Sequence, residues 1–198
     1  MNYSLIICAL IIYLIGSIPF AFILTKLSGK GDIRNIGSGN IGTTNVLRTG
    51  NKFLALLVLL FDISKGYFPT FFIFNYIYST DSIYAYFLGS CAIFGHLFPI
   101  WLNFKGGKGV ATYVGFIFAI NYFFGLMFIF FWLSIAFLTK YSSLASIVSL
   151  ISIPLLITFL GYNSSISLYF LLLSTVLIIK HLANIKRLLN KKESKIKL

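Results

Sequence analysis

Few residues in this chain can do chemistry, and most of them stand in three short stretches. The segment "KGGKGVATYVG" (105–115) sets Gly106, Gly107 and Gly109 around Lys108, just ahead of an apolar run that reads as a helix from about Val110. Glycines let backbone amides turn toward one anion, and the start of a helix adds its positive end, so the chemistry offered is phosphate binding. It is not a nucleotide-hydrolysing loop, because Gly109 rather than Ser or Thr follows Lys108 and the G-x-x-x-x-G-K-S/T spacing is missing. The longer stretch "DIRNIGSGNIGTTNVLRTGNK" (32–52) offers more amide donors and hydroxyls, with Arg34 and Arg48 as bidentate forks for an anion. In "KHLANIKRLLNKKE" (180–193), His181 and Asn184 are spaced i, i+3 and share one helical face. Asp62 and Lys65 repeat that spacing inside an apolar run, where charges are costly; a mutual ion pair is the first reading and a part in a polar site the second. Each stretch also has a plainer reading. The first could be a helix-capping turn, the second a flexible loop whose cations set topology, and the third a basic tail on anionic lipid.

The elements that must position these residues are membrane helices. The 198 residues are 59% hydrophobic and only 10% charged, against roughly a quarter charged for soluble domains. Apolar runs cover about 4–25, 53–76, 82–102, 110–139, 142–160 and 166–179. Most are near the ~20 residues that a spanning helix needs. The fourth is too long for one crossing: its 30 residues would make a helix of roughly 45 Å. If it crosses twice, turning near 121–125, the two pieces are about 15 residues each and 15 of the 16 Lys and Arg residues fall on one side, Lys65 alone remaining inside a run. A single crossing would send Lys140 and the basic tail outward, against the positive-inside rule. The expectation is an all-α integral membrane protein of seven transmembrane helices, N-terminus outside and C-terminus cytoplasmic. It forms one polytopic domain over 1–198, with inward motif segments at about 26–52, 102–112 and 180–198.

The same distribution removes other classes. A net charge of +12 that is confined to loop and tail positions serves topology rather than nucleic acid. Cys8 and Cys91 sit in expected spans with no disulfide or metal-ligand spacing. The N-terminus has no basic n-region and no small-residue cleavage pattern, which reads as an uncleaved anchor. The outward connections carry nothing more reactive than Asp81, so the chemistry is expected to face the cytoplasm.

Taken together, the motifs describe an anion pocket at the cytoplasmic mouth of a helical bundle. "GSGNIGTTNVLR", "GHLFP" followed by "FKGGKGVAT", and "HLANIKRL" resemble, in order and spacing, the three cytoplasmic motifs of the bacterial acyl-phosphate:glycerol-3-phosphate acyltransferases, the PlsY family. "GSIPFAF" and "DISKG" are also similar to that family, and the resemblance covers nearly the whole chain. One departure is Lys191, which stands where Gly often precedes the Glu matching Glu193.

The resemblance implies transfer of a fatty acyl group from acyl phosphate to glycerol 3-phosphate, giving lysophosphatidic acid and inorganic phosphate in phospholipid synthesis. It places the enzyme in the bacterial plasma membrane, loosely associated with the enzyme that makes acyl phosphate, with membrane lipid around it and no cofactor. Carried over position by position, the catalytic set is Ser38, Arg48, Lys108, His181 and Asn184. Substrate or phosphate binding falls to Asn40, Thr44, Asn45, Lys105, Gly106, Gly107 and Thr112. His181 and Asn184 would orient glycerol 3-phosphate or its attacking hydroxyl. No His is followed five residues later by Asp, as soluble-domain glycerolipid acyltransferases require: Trp101 follows His96 and Lys186 follows His181. Ser38 lacks a nucleophile elbow, Ile36 taking the first glycine's place, and is expected to bind substrate rather than attack. Direct attack without an acyl-enzyme is tolerable because acyl phosphate is already activated. No metal is expected, with only four carboxylates in the chain, Asp32 and Glu193 being those on cytoplasmic segments. Two rivals stay open here. A transporter of organic phosphate predicts polar residues across the bilayer and anion-handling groups outside, and a lipid-binding scaffold explains the tail but not the three motifs.

Overall fold

Where two helices of this chain come closest, a glycine removes the side chain that would keep them apart. The computed structural model describes residues 3–78 and 82–196, which leaves Asp81 and Lys197 outside. It divides into two units, Met1–Ile120 and Asn121–Leu198. In the first, α1 (Tyr3–Ser17) stops before Pro19, α2 (Phe20–Leu27) follows, and a loop leads through the short α3 (Thr43–Leu47) to α4 (Lys52–Phe72). A wide turn of π-helix (Ile73–Ile77) ends α4, and α5 (Ile83–Leu97) and α6 (Val110–Ile120) complete the unit. A Cβ on Gly66 of α4 would overlap the Thr112 carbonyl of α6, and one on Gly115 of α6 would overlap the Ile63 carbonyl of α4. Gly16 and Gly95 do the same for α1 and α5, against the Ala92 and Tyr13 carbonyls. In lipid, where no hydrophobic force drives helices together, such backbone-to-backbone approach supplies the packing.

The second unit holds α7 (Tyr122–Thr139), α8 (Ser142–Phe159), α9 (Ser164–Ile179) and α10 (Leu182–Leu189). The long apolar run does break, at Asn121, whose side chain accepts from the Phe123 amide at 2.9 Å and caps α7. The pieces are unequal, 11 residues in α6 and 18 in α7, rather than two halves of about 15, because the break falls at Asn121, which caps α7. Lys140 turns left-handed (φ 62°) to end α7 and open the tight turn into α8.

The fold is all-helical and integral to a membrane. Among the described residues, five helical stretches are long and apolar enough to cross: Tyr3–Leu27, Lys52–Ile77, Ile83–Leu102, Tyr122–Thr139 and Ser142–Phe159. The pair α9 and α10, bent by 63°, makes a sixth if counted as one span, and α6 is a shorter apolar helix. Leu10, Ile11, Phe130 and Leu155 are among many large apolar side chains facing outward, the reverse of a soluble surface. Inside, hydroxyls such as those of Thr70, Ser146 and Ser149 donate to carbonyls four residues back on their own helices, so they cost little in a dry interior.

Candidate active site

The first motif is folded around one buried asparagine. Asn45, on α3, donates from Nδ2 to the carbonyls of Ile33 (3.1 Å) and Ile36 (2.8 Å). Its Oδ1 accepts from the amide and the hydroxyl of Ser38, at 2.9 and 3.3 Å. An amide has two donors and two acceptor lone pairs, so Asn45 has no hydrogen-bonding capacity left for a substrate. Its work here is to fix the loop and present Ser38, which is exposed. Gly37 (φ +56°) lies so close that a Cβ there would press on Asn45 Oδ1 at 2.5 Å and on Arg48 Cδ at 2.9 Å, so the Arg48 side chain lies across this turn. Arg34 is committed elsewhere: its Nε and Nη2 fork onto the Asp32 carboxylate at 2.6–3.0 Å. That fork, and then the Arg34 amide, hold the Asp32 carboxyl below its usual range. Of the two arginines read from the sequence as anion forks, Arg34 is thus the one paired with Asp32. Asn40 and Thr44 are half-buried on the same loop and the first turn of α3.

The second motif turns back on the end of α5. After Pro99 and a short 3-10 turn (Ile100–Leu102), Asn103 and Phe104 both take left-handed dihedrals (φ 51° and 60°), and Gly109 a third (φ 78°) before α6 begins at Val110. The Gly107 amide donates to the His96 carbonyl at 3.1 Å and the Lys105 amide to Leu102 at 3.0 Å. Gly106 and Gly107 therefore contribute close approach: a Cβ on Gly106 would overlap the His96 carbonyl, and one on Gly107 the His96 ring. The Gly107 amide itself is not available to an anion. Lys108 is half-buried, Lys105 is exposed and Thr112 is fully buried in the first turn of α6, with no hydrogen-bond partner on its hydroxyl. A Cβ on Gly107 would also stand 3.0 Å from the Ile41 carbonyl, so the first and second motifs meet at this glycine. In the same unit, Lys65 Nζ lies 2.8 Å from Asp62 Oδ1, the ion pair that the spacing suggested, and donates to the Ile18 carbonyl at 2.9 Å.

The third motif lies in the second unit, where the chain bends between α9 and α10. His181 is buried, and its Nδ1 is 2.8 Å from the Leu177 carbonyl. A carbonyl only accepts, so Nδ1 carries the proton and Nε2 is the basic nitrogen of the neutral ring. His181 stands at the N-cap position of α10 without a side-chain cap hydrogen bond, and Asn184 occupies the first turn. Asn184 Nδ2 donates to Glu193 Oε1 at 2.6 Å, which fixes the orientation of the amide, and its Oδ1 is buried without a partner. Glu193 also accepts from Ser143 Oγ (2.8 Å) on α8 and from Arg187 Nε (2.6 Å) on α10. Burial alone would raise the Glu193 carboxyl; the hydrogen bonds from Asn184, Arg187 and Ser143 outweigh it and hold the group below its usual range.

A sequence profile described as glycerol-3-phosphate acyltransferase matches residues 6–191, nearly the whole chain. The chain belongs to the glycerol-3-phosphate acyltransferase family. A glycerol-3-phosphate acyltransferase of Pelagibacter ubique (strain HTCC1062) is 51% identical over 195 residues, 98% of each chain, and one of Mesorhizobium japonicum is 47% identical over 196, 99% of this chain and 98% of that one. Among solved structures, PlsY, an integral membrane glycerol 3-phosphate acyltransferase, superimposes in its glycerol 3-phosphate form with a TM-score of 0.93 at 36% identity, covering 98% of this chain and 96% of that one. Its lysophosphatidic acid form gives 0.90 over the same shares.

Within this acyltransferase, the first unit brings Ser38, Asn40, Thr44, Arg48 and the 105–112 turn into adjoining loops, while His181 and Asn184 are built by the second. Three supports were not read from the sequence. Glu193 has no role legible in the sequence, because what it binds is 50 residues away at Ser143 as well as nearby. His96 has no Asp five residues on, and only the fold brings "GHLFP" to "DISKG", setting His96 beside Asp62. The paired glycines on α1 and α5, and on α4 and α6, were visible only as isolated small residues.

Proposed function

We propose that this membrane glycerol-3-phosphate acyltransferase takes its acyl group from acyl phosphate and passes it directly to the glycerol hydroxyl. The hydroxyl oxygen bonds to the acyl carbonyl carbon, the carbon–phosphate oxygen bond breaks, and inorganic phosphate leaves with lysophosphatidic acid as the other product. The hydroxyl proton passes to His181 Nε2 or to a phosphate oxygen. Lys108, ahead of α6, and Arg48, across the Gly37 turn, neutralise phosphate charge, Ser38 binds substrate, and Thr112 offers a buried hydroxyl at the helix start. Asn184, its amide set by Glu193, orients glycerol 3-phosphate. Seven spans, with α6 as the short one and the N-terminus outside, put the motif loops on the cytoplasmic side of the bacterial plasma membrane. There, acyl phosphate arrives by loose association with the enzyme that makes it.

The observation that carries this reading is the glycine–lysine turn folded against the first-motif loop at Gly107 and Ile41, in a chain of this family. The test is turnover of the purified protein with palmitoyl phosphate and glycerol 3-phosphate, following phosphate and lysophosphatidic acid together, with acyl-coenzyme A as a parallel donor. Equal yields of both products from acyl phosphate alone are expected. Turnover from acyl-coenzyme A only, or an acyl group trapped on Ser38, would overturn the donor or the direct attack respectively.

A further inference from the structure

Three polar side chains outside the assigned set, Lys65, Asp62 and His96, stand in series behind the 105–109 turn. Lys65, held by the Ile18 carbonyl and by Asp62, is buried at one end. Asp62 Oδ1 faces His96 Nδ1 at 3.6 Å, and both side chains are buried. The opposite edge of the imidazole, at Nε2, lies against Gly107 so closely that no Cβ fits there, and the His96 carbonyl accepts the Gly107 amide at 3.1 Å. His96 thus touches the turn twice, by backbone and by ring. At that distance the two are charge neighbours rather than hydrogen-bonded, and the carboxylate favours the tautomer with the proton on Nδ1, leaving Nε2 toward the glycine.

Helix packing alone does not call for this arrangement. α4 and α6 already meet through Gly66 and Gly115, and an ion pair buried among apolar helices adds little stability over an apolar replacement. The pair sets a carboxylate beside His96, whose ring and carbonyl lie against the residue before Lys108.

We propose that Lys65, Asp62 and His96 form a buried strut that sets the shape of the 105–109 turn, making His96 a positioning residue for the phosphate held there. This rests on the reading of the turn as a phosphate cradle. The strut acts on binding geometry rather than on proton transfer, so its loss weakens phosphate recognition before it slows the chemical step.

The experiment compares inhibition by inorganic phosphate, both substrate KM values and kcat for the full-length enzyme in His96→Gln, His96→Asn, His96→Leu and Asp62→Asn. Gln places an amide near the Nε2 position and Asn near Nδ1, so the two separate the contact with Gly107 from the contact with Asp62. His96→Leu is expected to weaken phosphate inhibition and raise one substrate's KM about tenfold, with kcat within about threefold. His96→Gln should recover most of that loss and His96→Asn little of it, while the isosteric Asp62→Asn shows the same pattern more weakly. An unchanged inhibition constant in folded Asp62→Asn and His96→Asn, together with loss only of active protein in His96→Leu, would overturn the strut in favour of plain packing. A fall in kcat at constant KM would also overturn it, since it would put His96 in the chemical step. Lys108→Ala serves as the control. If it too leaves phosphate inhibition unchanged, the cradle reading itself fails; if it weakens inhibition and the His96 and Asp62 variants do not, only the strut fails.

Discussion

Replacing Glu193 by Ala removes three hydrogen bonds at once, and each can be weighed. Asn184 Nδ2 and Ser143 Oγ lose an acceptor in a partly buried setting, at about 1 kcal/mol each. The Arg187 ion pair adds less than about 1 kcal/mol, because the arginine side chain is 38% exposed and screened by solvent. The total, about 2 to 3 kcal/mol, corresponds to a fall in Tm on the order of 5 to 10 °C for a chain of this size. Asn184 also loses the contact that fixes its amide, so kcat/KM should fall about tenfold through misorientation. Glu193→Gln should repair this only in part, since its amide nitrogen must face one of three donors. The carboxyl lies below its unfolded value of 4.5 in the folded protein, so its contribution is complete above that pH and is lost as pH falls through the folded value. Thermal unfolding in detergent at pH 7 and at a series of values below 4.5, with turnover at pH 7 on the same preparations, measures both effects. A Glu193→Ala enzyme with the parent's Tm and kcat/KM would refute the reasoning, and so would a Tm deficit that does not shrink at the lower pH.

Arg48→Ala and Lys108→Ala should each lower turnover by roughly a hundredfold, the scale of losing one charge-stabilising donor, in protein that folds normally; near-parental rates would remove these residues from the mechanism. His181→Gln should abolish the acidic limb of the pH–rate profile if Nε2 accepts the hydroxyl proton, and a retained limb would hand that step to a substrate phosphate. Gly66→Ala sets a Cβ into the Thr112 carbonyl and should cost about 1 to 3 kcal/mol of stability, read by thermal unfolding; parental stability would mean that α4 and α6 adjust more easily than their backbone contact suggests.

Membrane residence and helical class followed from composition, and the break in the long apolar run followed from its length and the distribution of lysines. These are properties summed along the chain, and a bilayer's thickness and charge asymmetry act on such sums. The three motifs were legible too, because glycine and lysine clusters stand out against apolar sequence. Resemblance then supplied a reaction for them. Tertiary structure alone decided how the polar groups divide their work. Asn45, expected to bind substrate, spends every hydrogen bond on the 33–38 loop; Arg34 is held by Asp32, and the Gly107 amide by His96. Glu193 gained a role through Ser143, and Asp62 and His96 became neighbours although 34 positions separate them. The reason is physical: a residue type fixes how many hydrogen bonds a side chain can make, but only the folded chain determines which partners lie within about 3 Å to use them.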